Sequence, residues 1–327
     1  MTERRTTTKS NTLPGAARSW ASLTSPELAA LAGPEAVAIL PTAAVEQHGP
    51  HLPLSTDVDI GEGVLRSALD LLAPAPPLLL LPTVAPAVSS EHTTLAGTLS
   101  LDPGTVEGSL VDLGASVARS GIRRLVIFNS HGGNRATIDT AALRLRRRFG
   151  LLVVKVHTFR FAIPSDIHLP KRELRHGLHG GAVETAVMLH LHPDRVRTSE
   201  VRDFPSLGID LEANGSRIAP EGSASFAWRA DDLHPSGATG DATLATADMG
   251  ARLVTAWGTE LAAILEDSRS FPLDRLGGDG DVNRDDDDRT AYDWGHGAKD
   301  PEHGVKDREH DTKDGEHREH ETGGPKR

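Results

Sequence analysis

Four short apolar runs recur along the chain, and a segment of helical period separates each from the next. The runs are Ala36 to Leu40, Leu78 to Leu81, Leu125 to Asn129 (LVIFN) and Leu151 to Val156. Between them, Ile60 to Leu72 places apolar residues at Ile60, Val64, Leu65, Ala68, Leu69 and Leu72, the spacing of one helix face. Gly104 to Ser120 and Arg135 to Phe149 read as helices closed by Gly121 and Gly150. Ser25 to Leu31, with Ser25 as a cap before Pro26, opens the series. Gly181 to Leu191, stopped before Pro193, and a long Ala242 to Leu265 close it. Strands separated by helices pair in parallel and are covered by helices on both faces, which makes the expected class α/β. In such sheets, ligands bind outside the carboxyl ends of the strands.

The flanks are different. The first 19 residues, rich in Thr, Ser and Arg, read as a disordered arm, and the folded domain is expected over 20–276. From Gly277 to Arg327 there are 16 acidic and 9 basic residues, so this tail carries −7 of the chain's net −11. It has almost no aliphatic residues to offset the entropy of ordering, and it too is expected to be disordered. His296, His303, His310 and His317 recur there every seven residues. This reads as a low-complexity repeat or as a weak metal-capturing tract. The absence of cysteine excludes disulfides, thiolate metal sites and a Cys nucleophile. The acidic balance argues against a nucleic-acid partner. No apolar run approaches a membrane span, and Arg4, Arg5 and Lys9 precede no apolar signal core, so a cytoplasmic location is expected.

Three places after the strands concentrate chemistry. The first is the stretch from Glu46 to Asp57 (EQHGPHLPLSTD). In extended backbone Glu46 and His48 point to the same side, and the turn at Gly49–Pro50 lets Asp57 return towards them. Glu, His and Asp form a nitrogen/oxygen ligand set suited to Zn²⁺, Mn²⁺ or Fe²⁺. A polar loop with a capping Asp is the structural alternative. The second is FNSHGGN, where His131 follows the LVIFN strand and the Gly pair allows a sharp turn. The third is HGGAVET, with His179 just before a helix and Glu184 one turn inside it; taken alone, Glu184 reads as an acid balancing the helix dipole. Together they suggest either two metals that share a carboxylate, using Glu46, His48, Asp57, His131 and Glu184, or one metal with an open position. His51, Glu91 with His92, and Trp228 are further pocket candidates. His190 and His192 read as structural, and Asp241 as a cap for the last helix.

These strings resemble the creatininase (creatinine amidohydrolase) family. EHTTLAGTLSL at Glu91–Leu101 and GATGDATLATADMG at Gly237–Gly250 agree, so the resemblance spans about Ala36 to Leu265. It implies a three-layer α/β/α fold with a mainly parallel central sheet, a site for two divalent ions and a homo-oligomer, often a hexamer. Carried over by position, Glu46, Asp57 and His131 hold one ion. His48, Asp57 and Glu184 hold the other, Asp57 bridges, and His179 moves a proton beside the substrate. Creatininase proper carries a ligand Glu two residues after the strand-end His; here that position is Gly133. The Gly-Gly form is similar to the formamide-hydrolase and mycofactocin-precursor-peptidase branches. The activity implied is a metal-dependent amidohydrolase that cuts a carbon–nitrogen bond in a small amide, formamide or short peptide through an activated water. A mycofactocin-type peptidase or a catalytically silent metal-binding protein are the alternatives.

Overall fold

The computed structural model describes residues 17–73 and 77–277, all within one compact unit. Five strands form one sheet in the order β1-β3-β2-β4-β5, every neighbouring pair parallel. They are β1 (Ala17–Ser19), β2 (Val37–Thr42), β3 (Leu78–Leu80), β4 (Arg124–Asn129) and β5 (Leu152–His157). The parallel order follows from the connections, because each return passes through a helix: α2 (Thr56–Asp70), α3 (Pro103–Arg119) and α4 (Arg135–Phe149). β2 and β4 are buried on every residue, as strands covered on both faces must be.

Alternate strand residues feed two cores. Val37 and Ile39 of β2 and Val126 and Phe128 of β4 pack against α2, α6 (Ala182–Leu191) and α9 (Ala247–Ser270). Ala38, Leu40, Leu125 and Ile127 point the other way, onto Val106 and Leu110 of α3 and Ile138 and Leu145 of α4. The result is the expected three-layer α/β/α arrangement. From β2 the chain steps to β3 on one side. It then crosses to β4 on the other side, so the order reverses between β2 and β4. Loops leaving two such strands diverge and open a crevice at their carboxyl ends.

Several elements differ from the sequence reading, and local chemistry explains them. α1 (Ser25–Leu31) is capped by Thr24 rather than Ser25, and the Glu27 carboxylate accepts the Thr24 N–H at 2.7 Å. α2 starts at Thr56, four residues before Ile60, which puts Asp57 inside its first turn instead of on a loop. α9 begins at Ala247, because Thr246 caps it by accepting from the Met249 N–H. Asp241 instead caps the short turn Ala242–Leu244. β1, three residues at the sheet edge, lies wholly within the arm read as disordered, which corrects that reading for Ala17–Ser19; it is too short to show a period. The remainder of that arm, and the tail apart from Gly277, lie outside the described residues. Three short helices, α5 (Lys171–His176), α7 (Leu207–Ala213) and α8 (Ala230–Leu233), and the antiparallel pair β6 (Asp203–Phe204) and β7 (Gly240–Asp241) complete the fold. No helix among the described residues is long and apolar enough to cross a membrane.

Candidate metal centre

The crevice between β2 and β4 gathers the three motifs. Glu46 and His48 leave the end of β2, Asp57 comes from the first turn of α2, and His131 follows β4. His179, Gly180 and Gly181 lead into α6, with Glu184 in its first turn. Three trios place one ligand atom per residue within 4.8 Å of one another: Glu46, Asp57 and His131; His48, Asp57 and Glu184; and Glu46, His48 and His179. Asp57 belongs to two of them. All these residues are buried except Glu184, whose side chain is 29% exposed.

Hydrogen bonds aim the donor atoms. His131 donates its Nε2–H to Val88 O at 2.6 Å, which turns Nδ1 towards Asp57 Oδ2 (3.2 Å) and Glu46 Oε1 (3.3 Å). His48 donates Nδ1–H to Glu46 O at 3.2 Å, and its Nε2 faces Asp57 Oδ1 at 3.4 Å and Glu184 Oε2 at 4.0 Å. A backbone bond that fixes one ring nitrogen and frees the other is the usual support of a ligand histidine. Glu184 accepts the Gly180 N–H at 2.5 Å, so it closes the turn while its oxygen stays near His48. Three buried atoms of the cluster have no hydrogen-bond partner: Glu46 Oε2, His48 Nε2 and Asp57 Oδ2. Orphaned polar atoms this deep are costly. Each of the three belongs to a residue of the trios, where a divalent cation would supply the missing partner, so the donor set fits the ions the sequence implied.

The same crowding sets protonation. Burial opposes ionisation of Asp57, but the His48 charge and the close approach of both histidines outweigh it and hold the carboxyl well below its ordinary range. Glu46 is brought down to about 2 against burial, chiefly by the charge of His131. Burial would lower His48, yet Asp57 raises it to about 9; His131 is raised well above its ordinary value against burial by Glu46. Without metal, both imidazoles therefore hold protons that a metal must displace. Because these two pKa values are raised on folding, the stability they give is complete below about pH 6.5 and is lost as pH climbs through about 9. Chelated protein should lose thermal midpoint between about pH 7 and pH 10, and should release protons when metal is added at neutral pH. Melting curves with and without metal, and calorimetry in buffers of different ionisation enthalpy, measure both. A chelated midpoint that rises over that interval contradicts the ion pairing described.

The other candidates fall around this centre. His92 is buried; its Nδ1 accepts from Gln47 Nε2 at 2.7 Å, so its Nε2–H faces Glu46 Oε1 at 3.4 Å. Burial, then the His179 charge, lowers it to about 3, which keeps it a neutral donor. His179 lies between His48 and His92, at ring distances of 4.1 and 4.2 Å. It donates Nε2–H to Gln47 O at 2.6 Å, which leaves Nδ1 free, 3.8 Å from Glu46 Oε1. Burial and the His48 charge lower its pKa. His51 bonds the turn, its Nε2 reaching Gly180 O and Thr185 Oγ1 at 3.0 Å each. His190 and His192 end α6, and His192 reaches Asp59 at 3.8 Å. Trp228 is half-buried and donates to Pro220 O at 3.1 Å, a bond that ties it to the 216–229 segment and not to the cluster. Gly133 is tightly packed: a Cβ there would lie 2.5 Å from Glu91 Oε1 and from His131 Nε2, and 2.6 Å from Val88 O. The Glu91 carboxyl, raised by burial, fills the space that a side chain at position 133 would need.

Sequence reasoning passed over the asparagines that bracket the second motif. Asn129 Nδ2 donates to His131 O at 2.6 Å, and its Oδ1 accepts from Asn134 Nδ2 at 3.1 Å. Asn134 Oδ1 in turn accepts the Val88 N–H at 3.1 Å, which places the carbonyl that orients His131. An Asn at each end of the SHGG turn was the available signal. Gln47, between two candidate ligands, and Glu173 were likewise not singled out.

The description "Creatinine amidohydrolase" of the creatininase family matches residues 21–265 of the chain. The chain belongs to the creatininase family. Its fold agrees with the solved structure described as "Creatininase Mn", at a TM-score of 0.62 and 25% identity, over 77% of this chain and 98% of that one. Among curated creatininase-family proteins, it is 34% identical over 229 residues to the mycofactocin precursor peptide peptidase of Mycobacterium tuberculosis (strain ATCC 25618 / H37Rv). That alignment covers 67% of this chain and 80% of the relative. It is 31% identical over 193 residues to the creatinine amidohydrolase of Pseudomonas putida, covering 54% and 72%. Creatininase-family proteins are metal-dependent amidohydrolases that act on carbon–nitrogen bonds, and this chain is one of them.

Proposed function

We propose that this protein hydrolyses an amide bond in a short peptide, using two divalent ions, zinc, manganese or iron, held in the β2–β4 crevice. The observation that carries the reading is the pair of trios that share Asp57, Glu46–Asp57–His131 and His48–Asp57–Glu184, with buried unpartnered atoms at Glu46 Oε2, His48 Nε2 and Asp57 Oδ2. Glu46, Asp57 and His131 would hold one ion and His48, Asp57 and Glu184 the other. Ions bound there lower the pKa of water and polarise an amide carbonyl. The chain's own part is to move the proton. Burial keeps His179 neutral with Nδ1 free, so it accepts the proton that the attacking water loses. It returns that proton to the leaving nitrogen as the carbon–nitrogen bond breaks, which yields a carboxylic acid and an amine. His92, neutral, faces Glu46 Oε1 at 3.4 Å through its Nε2–H.

The peptide preference rests on two points. Gly133 replaces the ligand Glu of creatininase proper, and the space at that position is filled by Glu91 from another loop. The peptidase relative is also the more similar of the two and covers more of the chain. Assembly of several copies, a hexamer by resemblance, and a cytoplasmic location belong to the same reading. The test uses the full chain, stripped with a chelator and reloaded separately with zinc, manganese or iron, against short peptides, formamides and creatinine. Turnover is expected only after reloading and fastest on a peptide. Preference for creatinine or a formamide overturns the peptide assignment. Bound metal without turnover on any substrate makes the protein a silent metal binder.

A further inference from the structure

Glu173 is a carboxylate with no place in the chemistry above, yet it is only 5% exposed and sits inside a cage of glycines. Its Oε1 accepts the Ala182 N–H at 2.7 Å and its Oε2 accepts the Asp241 N–H at 2.6 Å. Ala182 is the first residue of α6, and Asp241 ends β7. One side chain on α5 therefore ties together two segments far apart in sequence. A Cβ at Gly177, Gly181 or Gly240 would meet its Oε1 at 2.4, 2.5 or 2.9 Å, so three glycines leave room for this carboxylate. α5 is itself fixed to the β6–β7 pair by Arg172, which bonds Asp203 at 2.7 Å and reaches Asp241 at 3.5 Å.

The two tied segments frame His179. Its backbone pairs with Thr239: Thr239 N–H donates to His179 O at 2.7 Å and His179 N–H to Thr239 O at 3.3 Å. Glu173 grips the chain two residues beyond Thr239 and three beyond His179. It thereby closes a ring that holds the His179–Gly180–Gly181 turn against the 238–241 segment. Inside that ring lie the Gly180 N–H bond to Glu184 and the His179 bond to Gln47 O.

We infer that Glu173 is a positioning residue whose two backbone bonds set where His179 stands in the proton path. This rests on the assignment of His179 as the proton carrier. Displacing a reacting group by about 1 Å costs up to about 10²-fold in rate, which is the scale expected if the ring loosens.

The test combines two variants with a removal of His179. Glu173→Gln keeps the shape but turns an N–H₂ towards one of the two backbone donors. Gly181→Ala pushes the carboxylate from the other side; its φ is −77°, so alanine is unstrained there. Each variant, in the full metal-loaded chain, should lower kcat roughly tenfold to 10²-fold with KM and metal content nearly unchanged. Hydrogen exchange at the Ala182 and Asp241 amides should quicken in both. In a His179→Ala background the same substitutions should change kcat by less than about twofold, because the group they position is gone. An equal loss in that background overturns the proposal, as does loss of metal in step with activity. Failure of both variants to fold also overturns it, since the tie would then serve stability alone. Full activity in His179→Ala by itself points instead to failure of the proton-carrier reading.

Discussion

Asp57→Ala should empty the centre of both ions and abolish turnover, while Glu184→Ala should lose chiefly one ion. The asymmetry comes from geometry. Asp57 is 3.4 Å from His48 through Oδ1 and 3.2 Å from His131 through Oδ2, and it is a member of two of the three candidate trios. Glu184 belongs to one trio, is partly exposed and stands 4.0 Å from His48. Removing Asp57 also takes the counter-charge from two buried imidazoles, and breaking one side of a buried pair costs about 3–5 kcal/mol. The metal-free variant should therefore relieve itself by deprotonating His48, whose raised pKa depends on Asp57. Metal analysis by mass spectrometry after reloading, beside turnover, decides the point. Two ions per chain in Asp57→Ala would refute the bridging role. Asp57→Asn is the milder companion: it keeps the volume and the start of α2, where Ser130 Oγ donates to Asp57 O at 2.7 Å, so loss of metal in it cannot be blamed on folding.

The fold was legible because hydrophobic period dominates it. β2 and β4 are covered on both faces, and they and the edge strand β5 read as apolar runs, while α4 ends where Gly150 stands. The residues drawn together in the crevice were legible for a related reason. A parallel sheet puts every loop after a strand at one edge, so Glu46, His48 and His131 had to be near one another before any distance was known. What stayed hidden depends on contacts between segments distant in sequence. Asp57 was named, but not its seat inside α2, because Thr56–Asp59 shows no helical period of its own. Glu173 lies on a six-residue helix with no apolar pattern, and its partners are 9 and 68 residues away. The contacts of His92 with Gln47 and Glu46 span about 46 residues, so sequence could flag the residue but not the direction it faces. β1 and the β6–β7 pair are too short for alternation to register.

His179→Ala should keep its metals and its fold while kcat drops by roughly 10²–10⁴-fold, the usual contribution of a general acid–base group. KM should change less, because the proton moves only as the carbon–nitrogen bond breaks. The structure makes this a sharp test, since His179 also forms a trio with Glu46 and His48 and so has the geometry of a ligand. Two features favour the proton role. Its Nδ1 is 3.8 Å from Glu46, farther than the corresponding approach of His131 at 3.3 Å. Its pKa is lowered by burial and by its neighbour His48, whereas His48 and His131 are raised by the carboxylates they face. A group of that kind accepts a proton transiently and gives it up readily, while the other two hold theirs until a metal takes the site. His179→Asn separates the remaining possibilities: it can keep a donor towards Gln47 O but cannot carry the proton. If His179 only shapes the turn into α6, the Asn variant should be nearly as active as the parent. If it is a ligand, the Ala variant should lose metal and activity together. Loss of turnover in both variants, with full metal in both, assigns it to the proton.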